Sequence, residues 1–242
     1  MDKIVNPHKD KRKNERLAEV AKKKKMRIGM LVVSAVIVVA IIVLAVIQAI
    51  QPDKGFPFDY ASQPTIGQAT APIKMVEFGD FKCPICKTFA TTVYSQLKKD
   101  FIDTGKVQMS FIDFQIIDKS MPAALAAKSV YHQNKAAFWT YYDALYEYQQ
   151  AETVDWATSE NLTNLAKTKN IPVDYTLLKK DIDEGVYLKE VQKEYTTAVK
   201  TKITGTPALF INGFVIPFDV TMDYTKLKAA IEKELRKLDG TK

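Results

Sequence analysis

The sequence predicts a mixed α/β domain that carries a large helical insertion and follows a single transmembrane helix. Three patterns lead to this fold class. A strand, a helix and a second strand follow one another over residues 73–111, helical periodicity dominates residues 120–201, and strand character returns from residue 207 before a closing helix. A strand–helix–strand order is typical of two parallel strands joined by a crossover helix.

An apolar run of 23 residues without a charged side chain occupies residues 28–50. As a helix, this run would be about 34 Å long, which is enough to cross the hydrocarbon core of a bilayer. A cleaved signal peptide is the alternative. Its apolar region usually has about 7–15 residues, however, and the sequence VIQAIQP is a poor cleavage site. We therefore predict a retained single-pass anchor.

Positive charge is concentrated in front of the apolar run. Residues 1–27 hold eleven Lys/Arg and four Asp/Glu, which accounts for the whole net charge of +7. A basic flank of this kind is typical of the cytoplasmic side of a membrane helix. Because the rest of the chain has as many acidic as basic residues, we expect no nucleic-acid partner. The prediction is a cell-membrane protein with residues 1–27 in the cytoplasm and its folded domain outside.

The folded domain is predicted to span residues 72–240, after a linker and lead-in at 51–71 that contains three prolines and two glycines. The sequence IKMVEF at 73–78 is typical of a buried strand. Residues 83–101 carry apolar side chains four positions apart, which indicates a helix. The sequence VQMSF at 107–111 alternates apolar and polar residues, as a second strand does.

The helical insertion is predicted at about residues 120–202, with four or five helices and a candidate break at Gly185. The sequence PALFING at 207–213 returns to strand character, and its Asn-Gly pair predicts a hairpin turn before a further strand. An amphipathic helix over residues 224–238 closes the chain. The aromatic residues of FWTYYDALY, among them Tyr142, lie at helical spacing and are interpreted as ordinary helix core.

The two cysteines of the chain, Cys83 and Cys86, stand two residues apart at the start of the first predicted helix of the domain. A structural zinc site needs four ligands, and two separate histidines give a metal site little support. A structural disulfide across so small a loop would remove little entropy from the unfolded chain. A redox pair explains the placement, because a helix N-terminus stabilises the Cys83 thiolate and the compartment outside the membrane permits disulfide chemistry.

Three segments together form a specific signature: EFGDFKCPICKTF, the helical insertion, and GTPALFING beyond it. Over residues 66–238 the chain resembles the DsbA family of extracytoplasmic thiol-disulfide oxidoreductases, in the thioredoxin superfamily, and most of all its membrane-anchored bacterial members. The resemblance implies a thioredoxin-like fold and an enzyme that introduces disulfides into reduced exported proteins. It implies that the redox-active disulfide is the only redox group and that no other cofactor is bound. It also implies a quinone-linked membrane partner that reoxidises the pair. We further expect a monomer.

The resemblance also implies site residues. Thr206 and Pro207 are expected to face the disulfide through a cis peptide bond, which the sequence alone does not show because most X–Pro bonds are trans. Glu77 lies on an apolar strand face. It is either a strand end open to solvent or a buried acid that exchanges a proton with Cys86, as the family suggests. The full candidate set is Cys83, Cys86, Pro84, Ile85, Glu77, Thr206 and Pro207.

Ile85 is a departure from the best-known oxidases of the family, which carry histidine in a CPHC motif. Isoleucine cannot donate a hydrogen bond to a thiolate, so we expect a less extreme oxidant. The alternatives are a disulfide reductase or isomerase that uses the same pair, and a redox-inert tethered chaperone. Isomerases of the superfamily usually carry a dimerisation domain, for which the segment between anchor and first strand leaves no room. The intact pair together with Pro207 argues against the chaperone.

Overall fold

A computed structural model of the protein describes residues 7–50 and 55–240. The chain divides into two compact units, Met1–Asp53 and Lys54–Lys242. The second unit contains both cysteines and all the strands and helices that the sequence predicts for the folded domain.

The first unit is described as one helix, α1, which spans Pro7–Ile50. Within it, Lys22–Leu44 is long and apolar enough to cross a membrane, with a mean hydropathy of 2.8, and none of that window is buried. A membrane anchor and a signal sequence share these properties. The limits of tail, anchor and linker therefore remain predictions.

A single mixed sheet forms the centre of the second unit. Its strands are β1 (Thr65–Ile66), β2 (Ile73–Gly79), β3 (Val107–Asp113), β4 (Ala208–Ile211) and β5 (Phe214–Val215). Their order across the sheet is β1–β3–β2–β4–β5. The strands β2 and β3 run parallel, whereas the other neighbouring pairs are antiparallel. The predicted strand–helix–strand unit is confirmed.

Helices pack on both sides of this sheet. The segment 84–102, which we call the cysteine helix, is helical throughout and contains two π-helical stretches, Phe89–Tyr94 and Lys98–Ile102. The α-helices are α2 (Pro84–Thr88), α3 (Ser95–Leu97), α4 (Met121–Gln133), α5 (Phe138–Tyr148), α6 (Ser159–Thr168), α7 (Tyr175–Glu184), α8 (Leu188–Lys200), α9 (Phe218–Thr221) and α10 (Tyr224–Asp239). Helices α4 to α8 form the predicted insertion between β3 and β4.

The limits of α7 illustrate how the sequence divides the insertion into helices. Asp174 precedes the helix, and its side chain accepts hydrogen bonds from the N–H groups of Thr176 and Leu177, as an N-cap residue does. Gly185 ends the helix in the left-handed conformation, with φ of 63°, which glycine adopts without strain. The predicted break at Gly185 is confirmed.

The lead-in at residues 51–71 contains structure that the sequence did not predict. Its described part includes a 3₁₀ turn at Tyr60–Ser62 and the edge strand β1. Phe58 is buried in a small core on one face of the sheet, and the N–H of Phe56 donates to the carbonyl of Gly213 at 2.8 Å. The segment from residue 55 onwards is therefore fixed to the turn between β4 and β5.

Both faces of β2 are buried, which sets the surroundings of its side chains. Successive side chains of a strand point to opposite faces. Met75 belongs to the larger core, together with both cysteines and much of the insertion, whereas Val76 and Phe78 belong to the smaller core. Glu77 is on the face of Met75, so its carboxyl group points into the larger core.

Candidate active site

Cys83 is the N-cap residue of α2, at the start of the cysteine helix. Its N–H donates to the carbonyl of Asp80 at 3.0 Å, and its own carbonyl accepts from the N–H of Lys87 at 3.1 Å. Pro84 follows in the first turn, where its missing N–H costs no hydrogen bond. The Cys83 sulfur therefore lies beside the N–H groups of a helix start, which favour a thiolate.

Both cysteines are free thiols, and Cys83 is 4 % exposed whereas Cys86 is 0 % exposed. The pKa of Cys83 falls to about 6, chiefly because Cys86 hydrogen-bonds to it, against the opposing effect of burial. Contacts with Thr206 and with the N–H groups of Cys86 and Ile85 lower this pKa further. Burial, followed by the proximity of Cys83, raises the pKa of Cys86 well above its ordinary value. An attacking thiol with a lowered pKa beside a buried resolving thiol would show this asymmetry.

The loop before β4 faces the cysteines. The peptide bond between Thr206 and Pro207 is cis, as the resemblance implied. The Sγ of Cys83 donates to the carbonyl oxygen of Thr206 at 3.6 Å. The Thr206 hydroxyl is buried without a hydrogen-bond partner among the described residues, so it can donate to a thiolate when one forms.

The surface around the pair is apolar and open. Ile85, between the cysteines, is 46 % exposed. A groove of about 470 Å³ runs along residues 201–208 and 215–218, next to the cis peptide bond. Val215 and Phe218 are exposed there. The groove includes Thr206, whose carbonyl oxygen accepts from the Cys83 Sγ, so it lies beside the redox pair.

Glu77 is fully buried, which excludes a strand end open to solvent. The hydroxyl of Tyr142 donates to both of its carboxyl oxygens, at 2.9 and 3.2 Å. Burial raises the pKa of Glu77 to about 8, and the bond from Tyr142 partly offsets this rise. Burial also raises the pKa of Tyr142, and negative charge on Glu77 or Cys86 raises it further. Tyr142 is indeed core, but its hydroxyl belongs to the site, which the sequence interpretation missed.

Asp80 is a second residue that the sequence did not single out. Its buried carboxylate accepts from the N–H groups of Ile116 and Ile117, both at 2.8 Å, and from that of Lys82 at 2.8 Å. Burial raises the pKa of Asp80, and these hydrogen bonds offset part of the rise. Asp80 therefore joins the cysteine loop, residues 80–83, to the loop after β3. No local pattern signals partners 36 and 37 positions away.

Gln149 is a third such residue and follows directly after α5. Its side-chain amide donates to the carbonyls of Phe81 at 2.7 Å and Cys83 at 3.0 Å. The Nζ of Lys87 donates to the carbonyl of Gln149 at 2.9 Å. The insertion thus contacts the cysteine loop directly, through a glutamine that nothing in its local sequence marks.

Metal binding finds no support in the described part of the chain, where no group of three or more His, Cys, Asp or Glu side chains could hold an ion. His132 lies away from the cysteines on α4. Its Nε2 is 2.9 Å from a carboxylate oxygen of Glu190, in an exposed hydrogen-bonded contact.

A family model described as thioredoxin matches residues 60–233. The "Probable disulfide bond formation protein D" of Bacillus anthracis is 38% identical over 216 residues, which cover 88% of this chain and 98% of that protein. Disulfide bond formation protein D of Bacillus subtilis is 36% identical over 175 residues, which cover 72% of this chain and 78% of that protein.

Solved structures give the same result. Oxidised BdbD from Bacillus subtilis matches with a TM-score of 0.71 and 35% identity, covering 76% of this chain and 97% of that one. DsbA from Chlamydia trachomatis matches with a TM-score of 0.67 and 26% identity, covering 78% of this chain and 98% of that one. The predicted thioredoxin-like fold with a helical insertion is confirmed.

Proposed function

Because this chain belongs to the DsbA-like family of disulfide-forming thiol-disulfide oxidoreductases, within the thioredoxin superfamily, we propose that Cys83 and Cys86 are its redox-active pair. The opposed ionisation of the two thiols carries this proposal: the pKa of Cys83 is about 6, whereas that of Cys86 is raised well above its ordinary value. A thiol that ionises near neutral pH is a fast leaving group in disulfide exchange. In this proposal the pair itself is the redox group, and no further cofactor takes part.

Disulfide formation takes two exchange steps. A substrate thiolate attacks the sulfur of Cys83 in the oxidised pair. The bond between Cys83 and Cys86 breaks, a bond between substrate and Cys83 forms, and Cys86 leaves as a thiolate that takes up a proton. A second substrate thiolate then attacks the substrate sulfur of the mixed disulfide, and Cys83 leaves as a thiolate. Two electrons pass from the substrate thiols to the pair.

The remaining candidate residues support these steps. Pro84 begins the helix whose N-terminus stabilises the Cys83 thiolate, and the Thr206 hydroxyl is placed to donate to it. Ile85 offers apolar surface beside the sulfur, and the groove next to Pro207 offers more. Unfolded substrates expose apolar side chains, so this surface suits reduced proteins that have not yet folded.

Glu77 is proposed as the proton acceptor and donor for Cys86. Both groups are fully buried, and both lie close enough to Tyr142 to raise the pKa of its hydroxyl. A carboxyl group with a pKa of about 8 is partly ionised near neutral pH, so it can take the Cys86 proton when Cys86 attacks a mixed disulfide. It can return the proton when Cys86 leaves.

Glu77→Gln is expected to slow the attack of Cys86 on a mixed disulfide between glutathione and Cys83 by about 10²-fold near pH 8, because general-base assistance is lost. Tyr142→Phe removes a donor that stabilises the ionised carboxyl group. It should raise the pKa seen in the rate profile by about one unit. Stopped-flow release of glutathione between pH 6 and 10 measures both effects.

The matched control for this experiment is Tyr141→Phe, the same substitution one residue earlier. Tyr141 donates to the carbonyl of Leu162 at 3.0 Å and has no contact with Glu77 among its described bonds. Its rate profile should equal that of the unaltered chain. Equal profiles for all three variants would remove Glu77 from the mechanism.

Disulfide transfer tests the proposed direction of electron flow. The oxidised full chain in detergent is mixed with an equimolar amount of a reduced, unfolded protein. The free thiols of each protein are then counted separately over time. We expect two substrate thiols to disappear per chain and two enzyme thiols to appear, while a chain alkylated at both cysteines changes nothing. If the reduced chain instead cleaves substrate disulfides and the oxidised chain transfers none, the protein is a reductase.

Exported proteins in the reduced state are the proposed substrates, and an oxidising membrane protein, linked to quinones, is the proposed partner that restores the pair. Relatives named for disulfide bond formation support the first. Balance requires an oxidant, because each turnover leaves the pair reduced by two electrons, and the family resemblance suggests a quinone-linked membrane protein in this role. The membrane-compatible segment Lys22–Leu44 would keep enzyme and partner in one membrane.

Residues 1–27 are proposed to lie in the cytoplasm and residues 51–242 outside, with the apolar segment retained as an anchor. The basic flank supports this orientation. Protease added to intact cells should then degrade the domain of Cys83 while a cytoplasmic control protein survives. Protection of the domain would contradict the orientation, and a soluble form cut near Ala49 would contradict the anchor.

A further inference from the structure

Gln149 contacts the redox loop from outside the thioredoxin-like part of the fold. It is buried at the end of α5. Its Nε2 donates to two main-chain carbonyls, that of Phe81 at 2.7 Å and that of Cys83 at 3.0 Å. A primary amide has two N–H bonds, so one side chain can satisfy both acceptors.

The Phe81 carbonyl belongs to the peptide unit before Lys82, and the Cys83 carbonyl belongs to the peptide unit after Cys83, so the two flank the segment of Lys82 and Cys83. Cys83 has the extended conformation of an N-cap residue, with φ of −73° and ψ of 118°. Its sulfur stays beside the helix start only while this conformation is kept. Hydrogen bonds that hold both carbonyls therefore fix the direction of the Cys83 side chain.

The side-chain amide of Gln149 also favours the Cys83 thiolate electrostatically. A carbonyl oxygen carries a partial negative charge, and negative charge close to a thiolate disfavours the thiolate. An N–H group directed at each carbonyl counteracts that charge. Without the amide of Gln149, the Cys83 thiolate would lose both its fixed position and this compensation.

The main chain of Gln149 is held on two sides. The main-chain N–H of Gln149 donates to the carbonyl of Leu145 at 2.9 Å. Its carbonyl accepts from the Nζ of Lys87 at 2.9 Å. The main chain from which the side chain extends is thus fixed by α5 and by the cysteine helix together, which suits a residue that must hold a third segment in place.

We propose that Gln149 is a positioning residue of the redox site: its side-chain amide holds the Phe81 and Cys83 carbonyls so that the Cys83 sulfur stays at the helix start, which makes the disulfide a stronger oxidant. The proposal rests on the function proposed above, in which Cys83 forms the mixed disulfide. It gives the helical insertion a chemical task in addition to covering the sheet.

Gln149→Met in the detergent-solubilised full chain tests the proposal, because methionine keeps the length of the side chain and removes the donor. The acid dissociation constant of Cys83, followed by thiolate absorbance, should fall about three- to tenfold, the equivalent of one net hydrogen bond. The equilibrium constant for reduction of the Cys83–Cys86 disulfide by glutathione should fall by the same factor. This corresponds to a reduction potential lower by about 15–30 mV, that of a weaker oxidant.

Tyr141→Phe again provides the matched control. It removes one buried donor of α5, which bonds to the Leu162 carbonyl at 3.0 Å in α6, away from the cysteines. Its thermal stability should fall to a similar extent, with the Cys83 titration and the reduction potential unchanged. If Gln149→Met lowers only the stability, as this control does, the positioning role is overturned.

Gln149→Glu decides the matter if the methionine variant does not fold. Its carboxylate has nearly the same shape, donates no hydrogen bond and adds negative charge, so the pKa of Cys83 should rise further than in Gln149→Met. An unchanged titration overturns the proposal. In the unaltered chain, the side-chain amide signals of Gln149 in nuclear magnetic resonance should move with the Cys83 titration, and signals that do not move overturn it without any variant.

The titration of the unaltered chain separates this proposal from the proposed function. If Cys83 of the unaltered chain does not ionise below the ordinary range of a thiol, the proposed redox chemistry itself is contradicted. If Cys83 of the unaltered chain does ionise below that range, and the Cys83 pKa of the Gln149 variants is the same as that of the unaltered chain, only the positioning role is wrong.

Discussion

Cys83→Ser is expected to abolish thiol-disulfide exchange, whereas Cys86→Ser should accumulate mixed disulfides with substrates. Cys83 has the lowered pKa, close to 6, and is the more exposed of the two thiols, so we expect it to be the sulfur that exchanges with a substrate. Cys86 is fully buried with a raised pKa, so it reaches only the sulfur bonded to Cys83. Without Cys86, the mixed disulfide has no internal thiol to resolve it.

Non-reducing gels and mass spectrometry of cells that produce each variant measure this result, with the double variant Cys83→Ser/Cys86→Ser as the control for background adducts. Mixed disulfides trapped by Cys83→Ser but not by Cys86→Ser would reverse the two roles. Full function of Cys83→Ser in cells would instead support the redox-inert tethered chaperone.

The reduced protein is expected to be more stable than the oxidised protein, because the Cys83 thiolate gains from its surroundings and the uncharged disulfide gains nothing comparable. The stabilities of the two redox forms and the reduction potential are linked. If the folded protein is more stable with the pair reduced, reduction of the disulfide is favoured and the reduction potential is higher. We expect a potential between about −180 and −100 mV, where each 30 mV is about 1.4 kcal/mol for two electrons.

The stability difference should depend on pH with a definite sign. The pKa of Cys83 is lowered to about 6 in the folded protein and is about 8.5 in an unfolded chain. The extra stability of the reduced form is therefore largest near pH 8.5, decreases as the pH falls, and is lost below about pH 6. The raised pKa of Cys86 acts in the opposite direction only above about pH 8.5, where the unfolded thiol ionises.

Thermal melts of both redox forms at pH 5, 7 and 8, together with equilibration against a glutathione series, measure the two quantities independently. The full chain with both cysteines alkylated serves as the control, since its stability should lack the thiolate dependence. A potential at or below roughly −250 mV, with the oxidised form more stable, would falsify the oxidase hypothesis in favour of a reductase.

Local sequence patterns were sufficient for most of the secondary structure. The apolar run that predicts β2 and the periodicities that predict the cysteine helix and β3 arise from burial in a sheet and on one helix face, so they are visible in short windows. The break at Gly185 was visible because glycine is the residue that most readily adopts the left-handed conformation in which α7 ends. Strand β1 and helix α9 were missed, since two and four residues are too few for periodicity to appear.

The candidate site divides in a similar way. Cys83 and Cys86 stand in a motif whose chemistry is recognisable from residue type and spacing, whereas Thr206 and Pro207 were expected at the site only because of the family resemblance. Tyr142 and Gln149 reach their partners across 65 to 68 positions of the chain, and no local pattern encodes such contacts. Tyr142 also lies at the helical spacing of a core residue, so its apolar ring concealed the task of its hydroxyl.

The bond between the N–H of Phe56 and the carbonyl of Gly213 has a practical consequence for handling the enzyme. The turn that contains Gly213 lies beside the start of β2, where Asn212 bonds to Lys74, while Cys83 follows the other end of this strand. Seven residues of strand separate the two ends by about 20 Å. A bead or sensor chip coupled ahead of residue 55 would therefore hold the enzyme by its far side and leave the cysteines open to dissolved proteins.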